Sequence, residues 1–141
     1  MAALAANKTV RITPIGEEGA QLYGAVGFDV IYKGAMLGKT GKYVRPLVAG
    51  DEFMGFADSF VDNGAGSSGD EDVKAIQRGK AFGVAVTGAT ADVVGAPVYA
   101  ANDNDLTMTP GSNSPVGRLA AFESATDCVV YFEAAVLRGI T

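Results

Sequence analysis

The sequence predicts an all-β domain: a compact antiparallel β-sandwich or jelly roll, with a small β-barrel as the alternative closure. Three observations carry this. From Gly79 to Glu133 short apolar alternations repeat between turn-rich breaks, with the period of two that a half-buried strand shows. Glycine contributes 19 of 141 residues, an excess that serves turns and bulges and weakens helices. No segment sustains a helical period long enough to stand as a confident helix.

Taken in order, Met1 to Asn7 show no alternation and read as a flexible N-terminal arm, with 8–141 as a single β domain. Val10 and Ile12 then face inward between Thr9, Arg11 and Thr13, and Pro14 ends the run. Ile15 to Gly27 is broken by glycine and fits a strand or one helical turn around Glu17 to Tyr23. Phe28, Val30 and Tyr32 alternate with Asp29, Ile31 and Lys33. Gly34 to Lys42 reads as a glycine-rich patch with Met36-Leu37 as its apolar pair. Tyr43 to Ala49 is a strand placed at an edge or bulge by Pro46, which has no N–H to donate. Phe53 to Val61 carries Phe53, Phe56 and Phe60 over both faces, so both faces need cover. Asp62 to Asp72 is the longest flexible loop, and Val73 to Arg78 pairs back as a more polar strand. Phe82, Val84 and Val86 alternate with Gly83, Ala85 and Thr87. In the last strand Cys128, Val130, Phe132, Ala134 and Val136 form an apolar face. The Asn102–Asp105 and Pro110–Pro115 segments supply the turns between. The expected core is Val10, Ile12, Val30, Phe53, Val84, Val86, Val98, Leu106, Val130 and Phe132.

Composition narrows the function. Apolar residues make up 48% of the chain, enough for a proper core. A net charge of −5 with no basic cluster argues against nucleic acid as a partner. No apolar run approaches the ~20 residues of a membrane-spanning helix, and the N-terminus lacks the cationic start of a signal peptide, so synthesis in a cytoplasm is expected. With no histidine, histidine-based triads and metal sites are excluded. The single cysteine, Cys128, sits on an apolar strand face and reads as a small buried hydrophobe. Gly38-Lys39-Thr40 lacks the first glycine of a phosphate-binding loop, which would fall at Lys33. Asn102–Asp105 could offer oxygens to calcium, but it lacks a closing glutamate and suits a turn. No catalytic, cofactor-binding or metal-binding residue is expected, and the chain is not expected to be an enzyme.

The stretches YVRPLVAGDEFMGFADSFVDN (from Tyr43), VKAIQRGKAFGVAVTG (from Val73), GAPVYAANDNDLTMTPGSNSPVGRLAAF (from Gly95) and the final Cys-Val-Val-Tyr-Phe strand resemble capsid decoration, or cement, proteins of tailed bacteriophages. The resemblance covers roughly Val30 to Glu133. It implies a structural virion protein on the outer capsid surface that bridges and stabilises neighbouring major capsid protein subunits. It also implies self-association as a homodimer or homotrimer at capsid symmetry axes and no catalytic residues; no cofactor and no nucleic-acid or membrane partner is expected. An arm or edge strand can add to a coat-protein sheet through main-chain hydrogen bonds. The candidate partner-binding residues are therefore Ala2, Ala3, Leu4, Ala5, Lys8, Val10, Tyr43, Arg45, Pro46, Phe56 and Phe60. The rival expectation is a free β-sandwich module that binds carbohydrate or peptide.

Overall fold

The computed structural model describes residues 3–14 and 20–137. Fourteen strands follow in order: β1 (Arg11–Pro14), β2 (Ala20–Gly24), β3 (Asp29–Ile31), β4 (Met36–Thr40), β5 (Tyr43–Pro46), β6 (Phe53–Ala57), β7 (Val61–Asn63), β8 (Asp72–Ile76), β9 (Arg78–Val84), β10 (Val86–Thr87), β11 (Pro97–Ala100), β12 (Leu106–Thr107), β13 (Ser114–Ser124) and β14 (Asp127–Glu133). The fold is all-β. A seven-stranded sheet of order β1-β9-β14-β13-β11-β12-β10 packs on a five-stranded sheet of order β2-β8-β6-β4-β5, and β3 pairs with β7 as a separate ribbon. All pairings within the sheets are antiparallel except β10 with β12. Both sheets end on outer strands, so the arrangement is an open sandwich and not a closed barrel.

The two sheets are joined at a corner. β8 runs into β9 through Gln77, so one strand path crosses from sheet to sheet, and β2 and β1 pair alongside it. Gln77 is buried, yet its polar groups are used: its side-chain amide donates to the Tyr23 hydroxyl at 2.6 Å and its backbone carbonyl accepts Ala134 N at 2.7 Å.

Every residue of β6 is buried because this strand separates two apolar clusters. Phe53 and Phe56 enter the cluster between the sheets with Val86, Val98, Val116, Leu119, Cys128, Val130 and Phe132. Met54 and Ala57 enter a second cluster with Ala25, Ile31, Leu37, Val44 and Val73, over which the β3–β7 ribbon lies. The cover required on both faces of this strand thus comes from the chain itself. β5 is an edge strand, as Pro46 implies, although Ala25 bridges to Val44 beside it.

Several expectations need correcting. In β3 the residue turned to the core is Ile31, while Val30 is only half-buried and Phe28 is 82% exposed. The alternation was real, but its apolar face looks outward. The glycine-rich patch from Gly34 to Lys42 holds a strand: β4 pairs with both β5 and β6, and Met36 and Leu37 each enter a different cluster. Gly38-Lys39-Thr40 therefore belongs to a strand. In β9 the buried face runs through Ala81 and then jumps to Val84, leaving Phe82 half-buried on the other side. Gly83, at φ +67°, is the extra residue of a bulge opposite Cys128 and Val129, and it shifts the phase. Val10 and Ile12 are half-buried and flank the inter-sheet cluster, and Val136 is exposed. Residues 15–19, within the uncertain stretch around Glu17, lie outside the described residues; β2 follows them.

The loop after β7 is tied down. Asn63 is buried, and its amide donates to the carbonyls of Ala25, Val26 and Ser67 at 3.0–3.2 Å. Asp70 accepts from Ser67 N, Asp62 from Gly64 N, and Ser68 Oγ from Gly27 N. Local side-chain bonds of this kind replace the flexibility that glycine and serine content suggested.

Cys128 is buried, and its thiol donates to the Ser124 carbonyl at 3.1 Å. Burial pushes its pKa up, aided by Asp127, so the reactive thiolate is scarce. Labelling by a thiol reagent at pH 8 is expected to be more than about tenfold slower in the native protein than in urea. Equal rates would mean that this strand face opens readily.

Candidate functional site

An open groove of about 650 Å³ with a mainly apolar lining lies beside the β3–β7 ribbon. One wall is the start of the chain, Ala3 and Leu4; a second is Phe28, Val30 and Tyr32; a third is Pro46, Val48 and Ala49. Asn102 and Asp103 close the fourth side. Phe60 lies beyond the rim, its ring 5.7 Å from that of Tyr32, and extends the apolar surface. Val48 and Phe60 are both exposed.

Phe28 is the unusual residue. It has φ +60°, a left-handed conformation that costs a bulky side chain roughly 1–2 kcal/mol. Its N–H is directed to the carbonyls of Asn63 at 3.0 Å and Gly66 at 3.3 Å, so the clamped β7 loop holds the ring out in solvent.

The turn at 102–105 fastens the start of the chain to the domain. Asn102 Oδ1 accepts from the N–H groups of Asn104 and Asp105, and its amide donates to Asp105 Oδ2 at 2.8 Å. Asp103 is buried; its carbonyl accepts Met36 N and its Oδ1 accepts Leu4 N at 2.9 Å. Lys8 Nζ donates to Asn104 Oδ1 at 2.6 Å, while Asn7 Oδ1 accepts Lys33 N. Leu4 packs against the second apolar cluster. Leu4, Asn7 and Lys8 therefore have partners within their own domain, and the oxygens considered for calcium serve the turn and this strap.

Burial shifts the charges here. Asp103 is raised by desolvation, against the hydrogen bond from Leu4 and the charge of Lys8. Lys8 is lowered by desolvation, partly offset by Asp105 and Asp103. A carboxyl raised in the folded state favours folding as pH falls toward its unfolded value, so Asp103 opposes stability above 3.8. Asp51 acts in the opposite window. Desolvation raises it, but bonds from Arg45 and Val48 N with the Arg45 charge leave it lowered, so its stabilisation is lost only as pH falls below 3.8. Asp103→Asn, which keeps an acceptor for Leu4 N, is expected to be at least as stable as the parent at pH 7. It should also remove the loss of melting temperature that the Asp103 charge is expected to cause as pH rises above 3.8. A loss of more than about 1 kcal/mol at pH 7 would show that the charge itself holds the strap.

Of the sequence-derived candidates, Ala3, Leu4 and Pro46 meet in the groove and Phe60 stands next to it. Ala5 is exposed nearby in sequence, and Ala2 lies outside the described residues. Lys8 and Val10 line a separate cavity of about 220 Å³. Arg45 is engaged by both carboxylate oxygens of Asp51, at 3.0 and 2.8 Å, and Tyr43 is half-buried beside Lys42. Phe56 is corrected outright: it is 2% exposed, against Phe132 in the core, and has no surface to offer a partner. Sequence reasoning missed Phe28, Tyr32 and Val48. The signal for the first two is their alternation with Val30, the one residue of that face expected in the core.

No family model, curated protein or solved structure matches the chain. Among the described residues lining the groove, the titratable side chains are Asp29, Tyr32 and Asp103. Asp29 Oδ1 accepts Val30 N and Asp103 holds Leu4. The groove offers apolar contact on a rigid frame and no positioned nucleophile with a base.

Proposed function

We propose that this chain is a non-enzymatic structural protein that attaches to the outer surface of a tailed-phage capsid and bridges neighbouring coat subunits. The observation that carries the reading is Phe28, a strained and rigidly presented aromatic at the lip of an apolar groove. Strain of that kind persists where the surroundings over-determine it, and pre-positioned aromatics anchor protein interfaces. The resemblance of the Tyr43–Asn63, Val73–Gly88 and Gly95–Phe122 stretches to cement proteins supplies the partner, the major capsid protein. A lattice of coat subunits presents many equivalent sites, so modest contacts from each copy add up to a firm clamp.

The test is decoration of purified shells that lack the protein. Phe28→Ser with Val48→Ser is expected to reduce bound copies at limiting concentration by about tenfold or more, because exposed anchors contribute to binding and little to the fold. The melting temperature should stay within about 2 °C of the parent. Failure of the unmodified protein to bind any such shell would sink the reading. The groove volume of about 650 Å³ also suits a peptide segment, which favours a free binding module as the second reading. Saturable binding of extended apolar peptides, without binding to shells, would select it.

A further inference from the structure

Part of the outward face of the seven-stranded sheet gathers basic side chains, opposite in sign to the chain's net charge of −5. Pairing registers place Thr13, Lys80, Tyr131, Arg118 and Pro97 in one row across β1, β9, β14, β13 and β11. Adjacent strands lie about 4.8 Å apart, so Lys80 and Arg118 flank Tyr131 within roughly 10 Å of each other. In the next row Arg11 lies over the Phe82 ring at 5.4 Å. Lys80, Arg118 and Arg11 are exposed. The carboxylates nearby are Glu133, paired with Arg78 at 3.3 Å, and the exposed Glu123 and Asp127 toward the β13–β14 tip.

The opposite side is acidic. Asp58, Asp62, Asp70, Glu71 and Asp72 fall in a stretch without lysine or arginine. Lys74 approaches Asp58 at 3.6 Å, while Asp62, Asp70, Glu71 and Asp72 are exposed. This stretch surrounds β7, whose ribbon lies over the five-stranded sheet on the side away from the seven-stranded one. The bonds of Asn63, Asp62 and Asp70 hold it as a formed projection.

We infer that copies of this chain associate head to tail, the Arg11–Lys80–Arg118 face of one against the acidic 58–72 segment of the next. The complementary surfaces belong to the same chain, which identifies the occupant as a second copy. Because they lie on opposite sides, the contact is heterologous and extends beyond a dimer. Exposed ion pairs are individually weak and are screened over about 10 Å at 0.1 M salt, so the association is salt-sensitive. This inference does not depend on the capsid reading; on a shell, the same contact would join neighbouring copies sideways.

Sedimentation of the whole protein across a concentration series tests it. At 20 mM salt the average mass should rise past that of a dimer, and at 500 mM it should return to the monomer. Arg11→Glu/Lys80→Glu/Arg118→Glu and Glu71→Lys/Asp72→Lys should each, alone, weaken association at least tenfold while retaining the parent's circular dichroism. Mixed in equal amounts, the two variants should associate again, because each supplies the reversed partner of the other. A parent that stays monomeric or stops at a dimer in low salt overturns the inference. So does association of the triple Glu variant at parental strength, or failure of the folded pair to recover on mixing.

Discussion

Phe132→Ala is expected to lower the unfolding free energy by about 3–5 kcal/mol, the range for emptying a well-packed aromatic site. Phe132 is fully buried on β14, a central strand of the larger sheet. Its ring meets Phe56 at 4.8 Å and Phe53 at 6.1 Å, with interplanar angles of 71° and 90°. Phe53 and Phe56 also meet edge to face at 5.8 Å, so the three rings link the two sheets. Alanine would remove the ring from both contacts and leave a void that two rigid sheets cannot close. Typical domains have only about 5–15 kcal/mol to lose, so urea denaturation should show a much lower midpoint and the melting temperature should fall by roughly 10–15 °C. Phe82→Ala is the control. Phe82 is half-buried on the outer side of the neighbouring strand, and its loss should cost about 1 kcal/mol. Equal costs would show that the sandwich is not held at Phe132.

That contrast between two phenylalanines also marks where the sequence was legible. Alternation through β14 marks Cys128, Val130, Phe132, Ala134 and Val136 as inward; the first four are buried, and Val136, past the strand's end, is exposed. A regular strand keeps its phase, so period two is enough to read it. In β9 the bulge at Gly83 shifts the phase, and the same rule put Phe82 on the wrong side. β3 failed for another reason. Both of its faces carry apolar residues, Ile31 against Phe28, Val30 and Tyr32, and nothing local says which face meets the core and which meets the groove. Pro46 gave an edge strand because a missing donor has a direct consequence for pairing. The buried amide of Asn63 left no such local mark, since its three acceptors become neighbours only in the folded chain. The groove was hidden for the same reason: its walls come from residues 3–4, 28–32, 46–49 and 101–103.

Gly55→Ala is expected to cost about 3–5 kcal/mol, far more than one added methyl group suggests, because strain and overpacking act together. Gly55 lies in the middle of β6 at φ +121°, outside the left-handed well that L-residues can occupy. It belongs to an irregular stretch in which Phe53 pairs with Gly38 while Gly55 pairs with Leu37, so that Met54 is the extra residue. That irregularity lets Phe53 and Phe56, three positions apart, enter the same cluster. A β-carbon at residue 55 would press into the backbone of the adjoining chain, against the Ile76 carbonyl and with Gln77 Cα at 3.2 Å. Ile76 and Gln77 form the corner that carries β8 into β9, so a shift there would be felt in both sheets. Gly41→Ala separates the two causes. Gly41 also has positive φ, +60°, but an added β-carbon there meets nothing within 4 Å, and the substitution should cost about 1–2 kcal/mol. Thermal and urea unfolding of both variants decide the matter. If alanine is tolerated equally at the two positions, the β6 corner yields where its packing says it cannot, and the close approach of the two strand paths is not what fixes the sandwich.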